Sequence, residues 1–300
     1  MIDGVKINVP SINANNWLNN RYLHFYTYTS TKTGEQLKDV LFAKYKGLKF
    51  FIIKSKKHKG KYYYEVRGSL HKYFNKGKHN ANDFTIENLK KVLKELHKKF
   101  DIDPKTAILR NVEFGVNILA LIDAIEFLKC LVCYGNYPFS TFQINRIIIG
   151  KTIKQQRSHL KIYNKSKQLD LPIQNLIRIE IVVKKMMFLK SYKISTLSDL
   201  IDENKIKQLG TLLLSYWENV IYFDKKVNWK ELTPFERKKL LYYVTPRNWE
   251  DFDKKQRYRA KKHFKELMCK YSTSTTQKDI TALLIQKIEF LICPPINHVL

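Results

Sequence analysis

The chain has 300 residues, of which 55 are Lys or Arg and 27 are Asp or Glu, for a formal net charge of +28. Hydrophobic residues still make up 44% and aromatic residues 13%, enough to bury a core, so wholesale disorder is excluded. The charge makes a polyanion the expected partner. An anionic membrane is disfavoured, because the most apolar stretch, residues 118–134, is broken by Asp123, Glu126 and Lys129 short of the ~18 apolar residues a spanning helix needs.

Residues 1–11 are polar and mixed and carry no secretory signal. The alternation in residues 22–29 (YLHFYTYT) predicts a strand. Residues 48–54 and 62–69 flank a Lys-rich segment containing Gly60 and predict a hairpin. After a polar loop at 75–83, Ile86, Leu89, Val92, Leu93, Leu96 and Phe100 recur at helical spacing, with Asp83 or Thr85 as the cap. A strand over 106–118 and an amphipathic helix over 119–132 follow, then a strand pair at 145–149 and 159–163. In the strand predicted over 176–183 (LIRIEIVV), Ile177, Ile179 and Ile181 take one face and Arg178, Glu180 and Val182 the other.

Beyond residue 195 the pattern is helical, at 197–203, 206–222, 234–243, 254–271 and 279–291, with a polar break at 272–276. The expectation is an α+β fold: an antiparallel sheet with helices on one face, followed by a mainly helical C-terminal basic unit. The division is placed at residues 1–200 and 201–300, with a soft boundary near 195–205.

Four cysteines make no disulfide framework in a chain of this length. Cys130 and Cys133 form a CxxC without the second pair that a zinc site wants, so they are read as core packing on a helix, in a reducing cytoplasm. The sequence holds no P-loop, GxSxG, HExxH or His-x-His motif.

Basic residues cluster at 54–61, 72–78, 151–167 and 254–270, interleaved with aromatic residues. Any one cluster reads as a solvated surface. Together they suit phosphate neutralisation and base stacking. Glu113 and Glu180 fall on two predicted strands, where two carboxylates can share a divalent metal; spacing alone favours a plain Arg178–Glu180 pair on the sheet. The Tyr163 phenol, beside cations, is of a type that can attack phosphorus when a metal polarises the phosphate. Most of the 18 tyrosines, however, must be packing or surface residues.

Five segments occur in a fixed order: GSLHKYFN from Gly68, NDF from Asn82, LRNVEFGVNI from Leu109, LKIYNKSK from Leu160, and LIRIEIVVKKMMFLK from Leu176. In that order they resemble the phage and plasmid replication proteins of the gene II/X type, rolling-circle initiators of filamentous-phage kind related to the HUH endonucleases. The resemblance spans roughly residues 45–200 and, more loosely, the helical part beyond. It implies a nickase and religase that takes a 5′-phosphate on tyrosine, leaves a 3′-OH and uses Mg²⁺ or Mn²⁺. It also implies origin DNA, a host helicase and a polymerase as partners, in the cytoplasm of a bacterial host.

Carried onto this chain, the resemblance assigns Tyr163 and Lys165 to catalysis and Glu113 and Glu180 to metal; His71 is read as a single imidazole ligand or phosphate contact in place of a family ligand pair. DNA contacts fall to Lys72, Tyr73, Lys76, Arg110, Lys161, Arg178, Arg257, Arg259 and Lys262. The His-hydrophobe-His pair of better-known HUH nucleases is absent, and Tyr73, Tyr134 and Tyr137 rival Tyr163 as nucleophile. A non-catalytic origin-binding factor or repressor, and a relaxase or transposase, are the alternatives.

Overall fold

The computed structural model describes residues 1–10, 12–36, 38–55, 58 and 60–294. Of the basic cluster at 54–61, Lys56, Lys57 and Lys59 lie outside the described residues. The elements in chain order are β1 (Ile2–Asn8), α1 (Ala14–Leu18), β2 (Val40–Tyr45), β3 (Leu48–Lys54), β4 (Tyr62–Ser69), α2 (Leu70–Phe74), α3 (Ile86–Phe100) and β5 (Ile108–Leu119). Then come α4 (Ala124–Lys129), β6 (Leu131–Tyr134), β7 (Tyr137–Pro138), β8 (Ser140–Ile144), β9 (Ile147–Lys154), β10 (Ser158–Asn164), α5 (Lys165–Leu169) and β11 (Leu176–Val183). The last are α6 (Glu203–Glu218), β12 (Val220–Tyr222), α7 (Pro234–Tyr243), α8 (Lys254–Tyr271) and α9 (Thr276–Ile292).

Nine strands form one sheet in the order β2-β3-β4-β1-β5-β11-β10-β9-β8, and its pairings are antiparallel. This is the expected α+β arrangement. A small sheet, β12-β6-β7, stands apart. Alternation decides the two faces of the large sheet. Phe114, Val116, Ile118, Ile177, Ile179, Ile181, Leu160 and Ile162 are buried in the main core. Each such side chain removed from water contributes about 1.5–3 kcal/mol. The cover includes α3, whose Phe100 meets Phe50 with 4.7 Å between ring centroids. It also includes α6 and α9, whose Leu209, Leu213, Leu284 and Ile288 belong to the same apolar cluster. A second cluster gathers Val132, Cys133, Ile221, Leu240, Trp249, Phe264 and Tyr271 from β6, β12, α7, the turn Pro246–Trp249 and α8. Among the described residues no helix is long and apolar enough to cross a membrane.

The helix ends follow their caps. Thr85, not Asp83, caps α3, accepting from the Asn88 amide at 3.3 Å. Thr233 with Glu236 and Asp253 with Gln256 close capping boxes on α7 and α8.

Several expectations are corrected. Residues 22–29 form no strand; among the described residues their backbone pairs with the sheet only through the isolated Tyr26–Phe42 bridge, with a further bridge from Thr29 to Gln36, while Tyr22 and Tyr28 pack on Tyr45 and Phe42 of β2. The helix expected over 119–132 shrinks to α4, because Asp123 caps it late and the chain from Leu131 pairs with β12. Cys130 and Cys133 are both buried, but they end a helix and sit on a strand. Their side chains enter the two different apolar clusters. The expected strand at 145–149 starts later, because Asn145 and Arg146 both have positive φ and form the β8–β9 turn. The expected helix at 206–222 ends at Glu218, and its last residues form β12. The strand β1 was not read from the sequence, yet it lies in the middle of the sheet between β4 and β5.

Candidate functional site

The face of the large sheet opposite the apolar one is polar over its centre. On β5, Glu113, Gly115 and Asn117 alternate outward; on β11, Val182, Glu180 and Arg178 oppose them. On β10, His159, Lys161 and Tyr163 pair with Val182, Glu180 and Arg178. This register puts Glu113, Glu180, Lys161 and Tyr163 on one surface, as the sequence alternation implies. Two glycines make the crowding possible. A Cβ at Gly115 would lie 2.5 Å from the Glu180 Cβ, and one at Gly150 would lie 2.3 Å from the Tyr163 Cβ.

Arg178 is the hub. It is 3% exposed. Its Nε donates to Glu180 Oε2 at 2.5 Å, Nη1 to Asn117 Oδ1 at 3.0 Å and Nη2 to Asp3 Oδ2 at 3.1 Å. Burial is the largest influence and works to raise the Glu180 and Asp3 carboxyls, but Arg178, joined by Lys161 at Glu180 and by Ser69, His71 and Lys165 at Asp3, holds both below the usual carboxylate range. Glu180 also accepts from Lys161 Nζ at 3.0 Å and from the Tyr163 hydroxyl at 3.4 Å. Asp3 accepts from the Ser69 hydroxyl and from Asn80 Nδ2. The pair expected from spacing, Arg178 with Glu180, is therefore present and forms part of a larger buried network.

Tyr163 is 3% exposed. Burial and the neighbouring Glu180 push its phenol well above the usual range, so it keeps its proton. Phe142 leans over Gly150 onto its ring, 5.3 Å between centroids. Lys165 is 1% exposed, donating to Asn80 at 2.7 Å and Gln168 at 2.6 Å, and burial together with Arg178 pushes it down to about 7.

Glu113 is different. It is half-buried and, among the described residues, makes no side-chain hydrogen bond or ion pair. Burial and the charge of Glu180 raise its pKa. Lys161 stands beside it: burial lowers this lysine, but Glu180 and Glu113 outweigh that and hold it above the usual range. Lys154 and Lys184 complete a cationic rim around His159, whose ring is kept neutral because burial and then Lys184, Lys161 and Lys154 depress it. Asp3, Asn117, Asn80 and His159 were missed in the sequence reading. His159 was legible, two residues before Lys161 on the same alternating strand; Asp3 was not, because its strand was not recognised.

His71 does not join the two glutamates. It is buried, stacks on Phe84 at 4.9 Å and hydrogen-bonds Asn82 at 2.8 Å. Burial pushes it down to about 4. Among the described residues no three His, Cys, Asp or Glu side chains gather as a metal cage. Of the two glutamates, Glu180 is held by Arg178, Lys161 and Tyr163, so Glu113 is the one of the pair with a carboxylate open to a hydrated Mg²⁺.

The remaining expected residues are scattered. Tyr73 is buried and donates to Glu95 at 2.9 Å; burial and that carboxylate raise its phenol. Tyr134 stacks on Tyr216 at 4.8 Å and is also raised by burial. Tyr137 is 44% exposed. Lys72 is half-buried on α2, Lys76 and Arg110 are exposed, and Arg257, Arg259 and Lys262 lie on α8, whose buried side belongs to the second cluster.

No family model matches the chain, and no curated protein matches it. A solved structure to which it is similar is a rolling circle replication initiator protein from Geobacillus stearothermophilus. The TM-score is 0.36 at 11% identity, over 82% of this chain and 96% of that one.

Proposed function

We propose that the chain is a rolling-circle replication initiator that binds origin DNA and nicks one strand on the polar sheet face. The observation that carries this reading is Glu113, an unpaired, half-buried carboxylate beside Lys161 at the cationic rim. The ordered resemblance and the antiparallel sheet support it. Glu113, with Glu180, would hold Mg²⁺ or Mn²⁺ against a substrate phosphate, and the ion would supply charge neutralisation at phosphorus. Lys161 and His159 would bind the neighbouring backbone, and Lys72, Lys76 and Arg110 would add sequence-independent contacts. Tyr163 is the first candidate for the nucleophile and the exposed Tyr137 the second. A host helicase and polymerase would extend the free 3′-OH.

The reading is tested on supercoiled origin DNA with Mg²⁺ or Mn²⁺. Open circles carrying a protein-linked 5′ end are expected, and Glu113→Gln should reduce their formation at least about 100-fold, the scale of a lost electrostatic contact in the transition state. Tyr163→Phe should abolish the adduct; a persisting adduct that Tyr137→Phe removes would move the nucleophile. Salt-sensitive binding with no nicking under either metal would sink the proposal. That outcome belongs to a second reading, a non-catalytic origin-binding protein, which is favoured by the burial of Tyr163 and the saturation of Glu180 by three donors.

A further inference from the structure

The helix α8 buries Ala260, Phe264, Leu267 and Tyr271. Its other side presents Lys254, Arg257, Tyr258, Lys261, Lys262 and Lys265 at i, i+3, i+4, i+7, i+8 and i+11, a single helical stripe. This stripe lines a concavity of about 550 Å³, whose far walls include the turn at Gly135, Asn219 at the end of α6, and Trp249. Among the described residues no carboxylate lines it. Among the described residues none of its five cations makes an ion pair. Two of them are fixed in place: Lys261 Nζ donates to Asn219 Oδ1 at 2.6 Å, and Arg257 Nη1 to the Phe252 carbonyl at 3.1 Å. Burial and the neighbouring Lys265 hold Lys261 below the usual lysine range, against a weaker pull from Glu218. Tyr258 stands among them, 72% exposed.

We infer that this groove is a binding track for single-stranded nucleic acid, separate from the polar sheet face. Five unpaired cations in a concavity repel one another until phosphates neutralise them. A membrane surface is flat and would need an apolar belt beside the cations, whereas Tyr258 is the exposed large apolar residue of this stripe. A helix that reads duplex DNA must protrude into the major groove, whereas this basic face forms one wall of a concavity whose other side includes Asn219 and the Gly135 turn. A single strand bends into such a cleft and offers the free base face that an exposed tyrosine stacks on. Arg259, expected from the sequence to touch DNA, does not line the groove. The inference stands on the groove alone and holds whether or not the sheet face cuts.

The test is fluorescence anisotropy of the full chain with a labelled oligothymidylate of about 15 nucleotides, within the span a single-strand site covers. Tyr258→Ala should weaken binding about 10-fold and Tyr258→Phe should hold within about 2-fold, the scale of one lost stacking partner. Arg257→Gln with Lys261→Gln should reduce the slope of log affinity against log salt by about 1.4, or ~0.7 per phosphate contact. Because Tyr258 is exposed, its replacement leaves the core intact, and an unchanged melting curve verifies this. Unchanged affinity in Tyr258→Ala overturns the inference, as does a duplex hairpin or a phosphatidylserine vesicle that binds this face more tightly than the oligothymidylate does. Nicking assayed in parallel separates the two proposals: Tyr258-dependent binding without nicking supports the track and sinks only the nickase.

Discussion

Arg178 engages three buried acceptors at once, on β1, β5 and β11. Replacing it leaves Asp3 and Glu180 as buried carboxylates short of their main cation. Arg178→Met should therefore lower the free energy of unfolding by about 3–5 kcal/mol, read from urea midpoints. Arg178→Lys should recover little of the loss, because an ammonium cannot copy the planar fork. Lys165 gives a pH signature. Its folded pKa of about 7 lies below the ordinary lysine value of 10.5, so between those values the unfolded chain binds more protons than the folded one. Stability from this group therefore rises as pH climbs from about 7 to 10.5 and is flat below 7. Lys165→Met should flatten that rise in melting temperature, and a rise of unchanged steepness would show that Lys165 is not its source. The Arg178–Glu180 pairing was legible in the alternation of one strand. Asp3 was not, because pairing across 175 residues of chain leaves no local trace.

At the scale of elements, the central strands pack close because two of them carry glycine opposite bulky partners. Gly115→Ala should cost about 1–3 kcal/mol, as overpacking does, since its Cβ would meet the Ile179 carbonyl and the Glu180 side chain. The measurement is the thermal midpoint against wild type; no loss would mean that β5 and β11 separate more easily than the register implies. Elements with strong local signals were legible: the β3–β4 hairpin, α3, α7, α8 and β11 fall where turn residues, caps and periodicity put them. The strand β1 was missed because Asp3 and Gly4 interrupt its apolar alternation, and both are accommodated only by neighbours, Asp3 by Arg178 and Gly4 by the close Glu113 side chain. Residues 22–29 failed as a strand for the opposite reason: the alternation is present, but a single bridge to Phe42 is all the pairing it gains from the large sheet.

At the scale of the molecule, the sheet's apolar face is covered from both ends of the sequence. Because α6 and α9 share its core cluster, a chain ending at residue 200 should expose that face. It should unfold without a cooperative transition and bind a hydrophobic dye; a sharp calorimetric transition for residues 1–200 would show that the covering helices are dispensable. By itself the sequence determined the α+β class, the basic character and the bounds of α3, α7 and α8, since composition, caps and periodicity act over a few residues. Only the tertiary structure decided which charges meet. Antiparallel register brought Glu113, Lys161 and His159 to one open rim and buried Tyr163 beneath Phe142. It also set the basic stripe of α8 into a groove rather than on a ridge. Those outcomes depend on distant strands and helices, whose contacts are fixed by packing of the whole chain and not by local pattern.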